Sequence, residues 1–326
     1  MKVLVTGGAG YVGSHTVKLL LERGHDVLVY DNLSNGHRQA VGEAELVVGD
    51  LLDGEKLRGE IERTGIEAVV HFAALAYVGE SVADPAKYYR NNVVGTLSLL
   101  DAMRESGVNR IVFSSTCATY GEPQKVPIGE DHPQQPVNPY GFTKLVIERA
   151  LADYCHAYGF GYAALRYFNA SGAAADGSIG EIHDPETHLI PLALQVALGQ
   201  RDSLEIFGED YPTPDGTCIR DYVHVDDLAT AHLAALDMLE PGSEIKLNLG
   251  IGRGASVRQV IETCQAVSGR AISTKVAPRR PGDPPELVAD ASQARAVLNW
   301  QPKYTSLESI VDTAWRWHES HPHGYE

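Results

Sequence analysis

Seven residues constrain this chain more than any others. Positions 7–13 read Gly-Gly-Ala-Gly-Tyr-Val-Gly, after the apolar run Val3, Leu4, Val5 and before a stretch with apolar residues at 12, 17, 19, 20 and 21 that stops at Gly24. The run has the character of a strand covered on both faces. The stretch predicts a helix over 11–23. Glycine at 7, 10 and 13 permits a tight turn, close approach of backbone to a diphosphate, and close helix–strand packing. The free N–H groups and partial positive charge of the helix N-terminus complete an anion site. A strand, a glycine turn and a helix in that order point to dinucleotide binding.

The rest of the first half keeps this alternation. Strands are expected at 26–30, 46–48, 68–70, 110–115 and 162–167, and helices at 55–63, 85–105 and 140–158. Such alternation predicts an α/β fold, a parallel sheet with helices on both faces. Past residue 170 the character changes. The stretch 170–185 is rich in Gly, Ala and Asp, and short elements with proline-rich turns at 211–216 and 278–285 follow. A smaller mixed α/β unit is expected there, with 245–249 a candidate strand returning to the large sheet. The expected division is 1–169 for the cofactor and 170–326 for the substrate.

Asp31 closes the second expected strand, 18 residues after Gly13. A carboxylate there accepts hydrogen bonds from an adenosine ribose and repels a 2′-phosphate, so NAD is expected rather than NADP. Asp31-Asn32 and Asn35-Gly36 are also ordinary turn formers. Asp50 is a candidate partner for the adenine amino group. Phe72-Ala73-Ala74 leave backbone that a cofactor can pass closely.

Composition limits the partners. Lys and Arg number 27 against 43 acidic residues, a net charge of -16, which opposes binding of nucleic acid or anionic lipid. Hydrophobic residues at 44% and charged residues at 21% are ordinary for a globular chain and argue against disorder. No run reaches the length of a membrane span. The opening residues read as a strand and not a signal peptide. Four dispersed cysteines without a CxxC read as reduced thiols, so a cytoplasmic location is expected. His183 with His188, or His318 with His321 and His323, are the groupings that suggest a metal. Scattered surface and core histidines are the simpler reading, and no metal is expected. No GxSxG elbow is present, against a serine hydrolase.

Tyr140 and Lys144 fall on one face at the start of an expected helix. A nearby ammonium stabilises a phenolate and fits the tyrosine for proton transfer. The preceding strand ends in Ser114-Ser115-Thr116, and ligands bind at the carboxyl ends of parallel strands. Thr116 can exchange a hydrogen bond with a substrate hydroxyl; its other reading is a strand-end cap.

On these residues the chain resembles the extended short-chain dehydrogenase/reductase family of NAD-dependent epimerases and dehydratases, and within it the UDP-glucose 4-epimerase branch. The resemblance runs from Met1 to 321–325. Its first-half carriers are 7–13, 31–33, 78–81, 91–93, 113–116, 138–141 and 166–169. The glycines and the Tyr140/Lys144 pair belong to the wider family. The second-half carriers, 206–213, 219–225 and 279–283, are specific to the branch.

The resemblance implies a Rossmann-like doubly wound parallel sheet with a smaller mixed α/β C-terminal domain. It implies a bound NAD and the interconversion of UDP-glucose and UDP-galactose: oxidation at carbon 4, rotation of the keto sugar, and re-reduction. Tyr140, helped by Thr116, would handle the 4-hydroxyl proton, and Lys144 the nicotinamide ribose. Positions matching NAD contacts are Gly7, Gly10, Tyr11, Val12, Gly13, Asp31, Asn32, Asn35, Gly36, Asp50, Leu51, Phe72, Ala73, Ala74, Asn92, Ser114, Tyr140, Lys144 and Tyr167. Positions matching UDP-sugar contacts are Thr116, Tyr140, Phe168, Asn169, His188, Leu189, Phe207, Arg220, Tyr222, Val257, Arg280, Asp283 and Leu287. The guanidinium forks of Arg220 and Arg280 suit a diphosphate. The resemblance adds a homodimer through a four-helix contact of the helices at 85–105 and 140–158.

Three positions depart from the common pattern. Many members carry Lys where Leu75-Ala76-Tyr77-Val78 stands here. Asn often stands at the position of His188. Leu287 aligns with a gatekeeper that is Tyr in enzymes strict for UDP-glucose and UDP-galactose and smaller in those that accept N-acetyl sugars, so N-acetylated UDP-hexosamines are expected as further substrates. Dehydratases place Asp-Glu or Ser-Glu after the strand-end Thr. Cys117 and Ala118 supply neither carboxylic acid nor base, which argues against dehydration. UDP-glucuronate 4-epimerase is an alternative, since one further cation would hold the carboxylate. A non-enzymatic NAD-binding regulator would tolerate loss of Tyr140, Lys144 or Thr116; all three are present.

Overall fold

Seven parallel strands organise the molecule. A computed structural model describes residues 1–280 and 282–325; Pro281, within the 279–283 segment, lies outside the described residues. The chain opens with β1 (Lys2–Thr6), α1 (Tyr11–Glu22), β2 (Asp26–Asp31), β3 (Glu45–Val48), α2 (Gly54–Thr64) and β4 (Ala68–His71). Next come α3 (Val78–Ala83), α4 (Pro85–Tyr88), α5 (Gly95–Glu105), β5 (Arg110–Thr116), α6 (Pro139–Tyr158) and β6 (Gly161–Tyr167). They are followed by β7 (Asn169–Ser171), α7 (Leu189–Ala197), β8 (Leu204–Phe207), β9 (Ile219–His224), α8 (Val225–Met238) and β10 (Glu244–Leu249). The last elements are β11 (Gly254–Ser256), α9 (Val257–Ser268), β12 (Thr274–Ala277), β13 (Glu286–Leu287), α10 (Ser292–Leu298) and α11 (Leu307–Ser320).

The large sheet runs β10-β6-β5-β4-β1-β2-β3, with every pairing parallel. This is the doubly wound α/β fold. β4 is buried along its whole length, as a strand with helices on both faces should be. One face carries the apolar sides of α1 and α8, with Val17, Leu20, Leu228 and Leu236 in its core. The other carries α2, α5 and α6, with Leu57, Leu99 and Leu151. The strand order reverses between β1 and β4. The loops after these two strands therefore diverge, leaving a crevice at their carboxyl ends where a ligand can lie.

The stretch 85–105 is one continuous helical run, as expected, but it is not α-helical throughout. α4 and α5 are joined by π-helical backbone over Tyr89–Val94. There Asn92, wholly buried, exchanges two hydrogen bonds with the backbone of Leu75 and donates a third to Thr143. The apolar periodicity carries no mark of this extra residue per turn.

β10 returns to the large sheet beside β6, with Leu247 opposite Leu165. α8 also packs on α1, so the chain leaves the large core and re-enters it. α10 joins the large core too, through Ala294 and Leu298, whereas α7, α9 and α11 build a separate core around Ile190, Leu194, Val260, Ile310 and Trp315. In that part β9 pairs with β7, β11 and β13, and β8 pairs with β12. No helix among the described residues is long and apolar enough to cross a membrane.

Candidate active site

A cavity of about 490 Å³ opens at the carboxyl ends of β1, β2, β4 and β5. The 7–13 turn lines one end. Gly7 has φ +72°, and a Cβ there would stand 2.4 Å from the Ala73 nitrogen. A Cβ on Gly13 would stand 2.2 Å from the Gly7 carbonyl oxygen. No L side chain fits either place, so the turn approaches the β4 loop as bare backbone. α1 starts at Gly10 without a side-chain cap, which leaves its first N–H groups to a ligand. The Asp31 carboxylate accepts from the backbone N–H of Ala9 at 3.0 Å and of Leu33 at 2.8 Å. It thus ties the glycine turn to the end of β2 while lining the cavity. Burial raises its pKa, and the two backbone bonds oppose that rise. Asp50 accepts from the Asn32 amide at 3.0 Å and from the Leu52 N–H at 2.9 Å.

Tyr140 stands in the first turn of α6. Asn138 caps that turn by accepting from the Gly141 N–H at 2.8 Å, and Pro139 supplies a helical φ. Lys144 lies one turn on and is 3% exposed. Its ammonium donates to the Ser114 carbonyl at 2.8 Å and sits 6.0 Å from the centre of the Tyr140 ring. Burial lowers Lys144 to about 7, against the attraction of Glu148. Burial raises Tyr140 far above the usual tyrosine range, against the Thr116 hydroxyl. Each charge is costly alone in this site, whereas an ammonium beside a phenolate offsets both costs. Thr116 lines the cavity and also accepts from the Ala118 N–H at 3.2 Å, the strand-end cap that was its other reading.

A buried polar network backs this centre. Arg166 on β6 and Glu148 on α6 meet at 2.6 Å, both side chains 3% exposed. The Ser115 hydroxyl donates to Glu148 at 2.5 Å, and Arg166 donates to the Tyr120 hydroxyl at 2.9 Å. The pair fixes α6 against β5 and β6, and with them the position of Lys144.

The other end of the cavity is lined by Phe168, Asn169, His188, Arg220, Asp283 and Leu287. Arg220 donates to the carbonyls of Ile219 and Pro284, both at 2.9 Å, and lies 3.7 Å from Asp283. Five sequence-derived substrate positions are off the wall. Leu189, Tyr222 and Val257 pack in or against the second core. Arg280 lies over the Phe207 ring at 5.0 Å and pairs with Asp283 at 2.8 Å. On the cofactor side, Asn92, Ser114 and Lys144 stand behind the wall; the other positions line it. The Ser114 hydroxyl meets the Tyr167 hydroxyl at 2.7 Å.

Tyr77 and Glu181 also line the cavity and were missed, and His183, considered only as a metal ligand, lines it as well. The signal was the spacing E-x-H-x-x-E-x-H over 181–188. The sequence reading saw only the histidines and overlooked Glu181 and Glu186, which the loop brings beside them. These carboxylates outweigh burial and raise His183 to about 9 and His188 to about 10.

The profile of the NAD dependent epimerase/dehydratase family matches residues 3–250. The UDP-glucose 4-epimerase of Halalkalibacterium halodurans is 54% identical over 326 residues, 100% of this chain and 98% of the relative. The UDP-glucose 4-epimerase of Brucella ovis, solved in complex with NAD, is 55% identical with a TM-score of 0.94, over 96% of this chain and 97% of that one. The enzyme of that name from Bifidobacterium longum, solved with NAD+ and UDP, is 38% identical with a TM-score of 0.96, over the whole of both chains.

Proposed function

The chain belongs to the NAD dependent epimerase/dehydratase family, and from that premise we propose that it interconverts UDP-glucose and UDP-galactose with NAD as its cofactor. The observation that carries this reading is Tyr140, backed by Lys144, on the wall of the cavity that the 7–13 turn and Arg220 both line. The close-packed glycines, the uncapped start of α1 and the Asp31 carboxylate suit a dinucleotide without a 2′-phosphate. NAD, when bound, supplies the hydride acceptor that oxidation at carbon 4 requires.

The chain's own residues do the rest. Tyr140 takes the 4-hydroxyl proton and later returns it, with Thr116 bonded to the same hydroxyl. Lys144 stabilises the phenolate that takes the proton and the phenolate left when it is returned. Arg220 holds the diphosphate, so the sugar can turn without leaving. The positive groups are local, as they have to be in a chain of net charge -16. Cys117, whose half-buried thiol is pushed up to about 12 by desolvation, and Ala118 offer no acid for dehydration. In this reading, residues 1–169 hold NAD and 170–326 the UDP-sugar. Leu287 leaves room for N-acetylated UDP-hexosamines. Exposed Tyr89, Val94, Leu97 and Phe142 on the α4–α6 side form the face of a homodimer.

The test is to incubate the purified protein with UDP-galactose and follow the sugar proton resonances, and to weigh the ligand released on denaturation. UDP-glucose and NAD are expected. Absence of UDP-glucose at high enzyme overturns the reading.

A further inference from the structure

Between β7 and α7 the chain places Glu181, His183, Glu186 and His188 so that one ligand atom of each lies within 4.8 Å of the others. Both imidazoles turn Nδ1 toward the carboxylates. His183 is 3.3 Å from Glu181 and 3.4 Å from Glu186; His188 is 2.8 Å and 3.0 Å from the same two. Tetrahedral zinc with bonds of about 2.0–2.2 Å separates its donors by about 3.3–3.5 Å. The observed spacings reach that geometry with small rotations of the side chains.

A second observation concerns unmet polar atoms. The Glu181 and Glu186 side chains are 4% and 5% exposed. Glu181 Oε1 and His183 Nδ1 are buried and make no well-aligned hydrogen bond among the described residues, although Oε1 lies 2.8 Å from His188 Nδ1 and 3.3 Å from His183 Nδ1. Buried polar atoms held together at poor angles lose part of what a hydrogen bond is worth, and a cation among them recovers it.

We propose that Glu181, His183, Glu186 and His188 form a Zn2+ site at the rim of the active-site cavity. Two imidazole nitrogens and two carboxylate oxygens are zinc donors, and the two carboxylates neutralise a divalent ion. With four protein ligands the site is closed, and its role is to hold structure. The His183 ring stands edge-on to Tyr11 at 6.3 Å and to Tyr77 at 6.0 Å. Tyr11 opens α1 within the glycine turn and donates to the Gly172 carbonyl at 2.7 Å. His188 precedes the first residue of α7. The ion therefore clamps the start of α7 to the loop that touches the glycine turn, and so joins the two ends of the cavity.

The experiment strips the full-length protein with a chelator, keeps its bound dinucleotide, and adds ZnCl2 before dialysis. About one Zn2+ per chain should remain by elemental mass spectrometry, and zinc should raise the thermal midpoint. Co2+ in its place should show the visible bands of a four-coordinate ion. The double variant His183→Gln, Glu186→Gln should lose affinity by more than the ~10–100-fold that even a supporting group costs a metal site. Its circular dichroism and bound dinucleotide should match the parent. If that variant does not fold, His188→Asn, at the exposed ligand, gives the same readout. A parent that retains no Zn2+ overturns the proposal and leaves imidazolium–carboxylate pairs in its place. Equal retention by parent and variant overturns it too.

Discussion

The two ends of the cavity are built from different materials. At the 7–13 end the surface is backbone: glycines with no room for a Cβ and a helix start with free N–H groups. At the far end it is side chains from separate segments: Asn169 on β7, Arg220 on β9, Leu287 on β13 and His188 before α7. A backbone site is contiguous, and steric need dictates each glycine, so it reads as a motif. A side-chain site is assembled by topology. Arg220 and Leu287 face each other because β9 and β13 pair in parallel with those two residues in register. Nothing local in the sequence announces that neighbour.

Tyr140 lies where the two ends meet, so its loss should have the largest effect. Tyr140→Phe is expected to lower kcat by ~10²–10⁴-fold while leaving NAD and UDP bound. Mass analysis of retained NAD and calorimetry with UDP check both halves of that statement. An unchanged rate would remove Tyr140 from the chemistry.

The next substitution separates the ends. Gly13→Ala puts a methyl 2.2 Å from the Gly7 carbonyl and must open the turn. Overpacking of about 1–3 kcal/mol corresponds to ~5–150-fold weaker NAD retention. UDP binding at the far end should change little. Equal losses at both ends would mean that the cavity folds as one cooperative unit and the contrast drawn above is false.

The far end has its own test. In sequence Arg220 and Arg280 look alike as diphosphate binders. The structure separates them: Arg220 lines the cavity with its side chain 12% exposed, whereas Arg280 is 55% exposed and spent on Asp283. Arg220→Ala should raise KM for the UDP-sugar about tenfold, the loss of a charge-assisted bond of about 1.5 kcal/mol. Arg280→Ala removes an exposed pair worth about 0–1 kcal/mol and should raise KM severalfold at most. Steady-state KM values that rank the two the other way would place the diphosphate outside the cavity wall described here.

These contrasts mark what the sequence could and could not convey. The sheet was legible because buried parallel strands such as β4 are apolar runs, and the Tyr140/Lys144 pair because one helical turn fixes its spacing. The π-helical turn between α4 and α5 was not, because Asn92 was matched to a cofactor contact and its hydrogen bonds to Leu75 and Thr143 exist only in the fold. Glu181 and Glu186 were passed over for a related reason. A Gly/Ala/Asp-rich stretch reads as solvated loop, and only the fold shows those carboxylates buried against His183 and His188.

The smallest expected effect is the most specific to the side-chain end. Leu287 lines the cavity beside Arg220, so the bulk of this one side chain limits the space for a substituent on the sugar. Leu287→Tyr adds an aromatic ring there and should lower kcat/KM for UDP-N-acetylglucosamine relative to UDP-galactose. Discrimination by bulk in an apolar pocket is worth about 1–3 kcal/mol, and for a partly open wall the low end applies, ~5-fold. NAD retention should not move, because the substitution lies on β13, away from the backbone end. A proportional loss on both substrates would show that position 287 shapes the whole pocket and does not select the sugar.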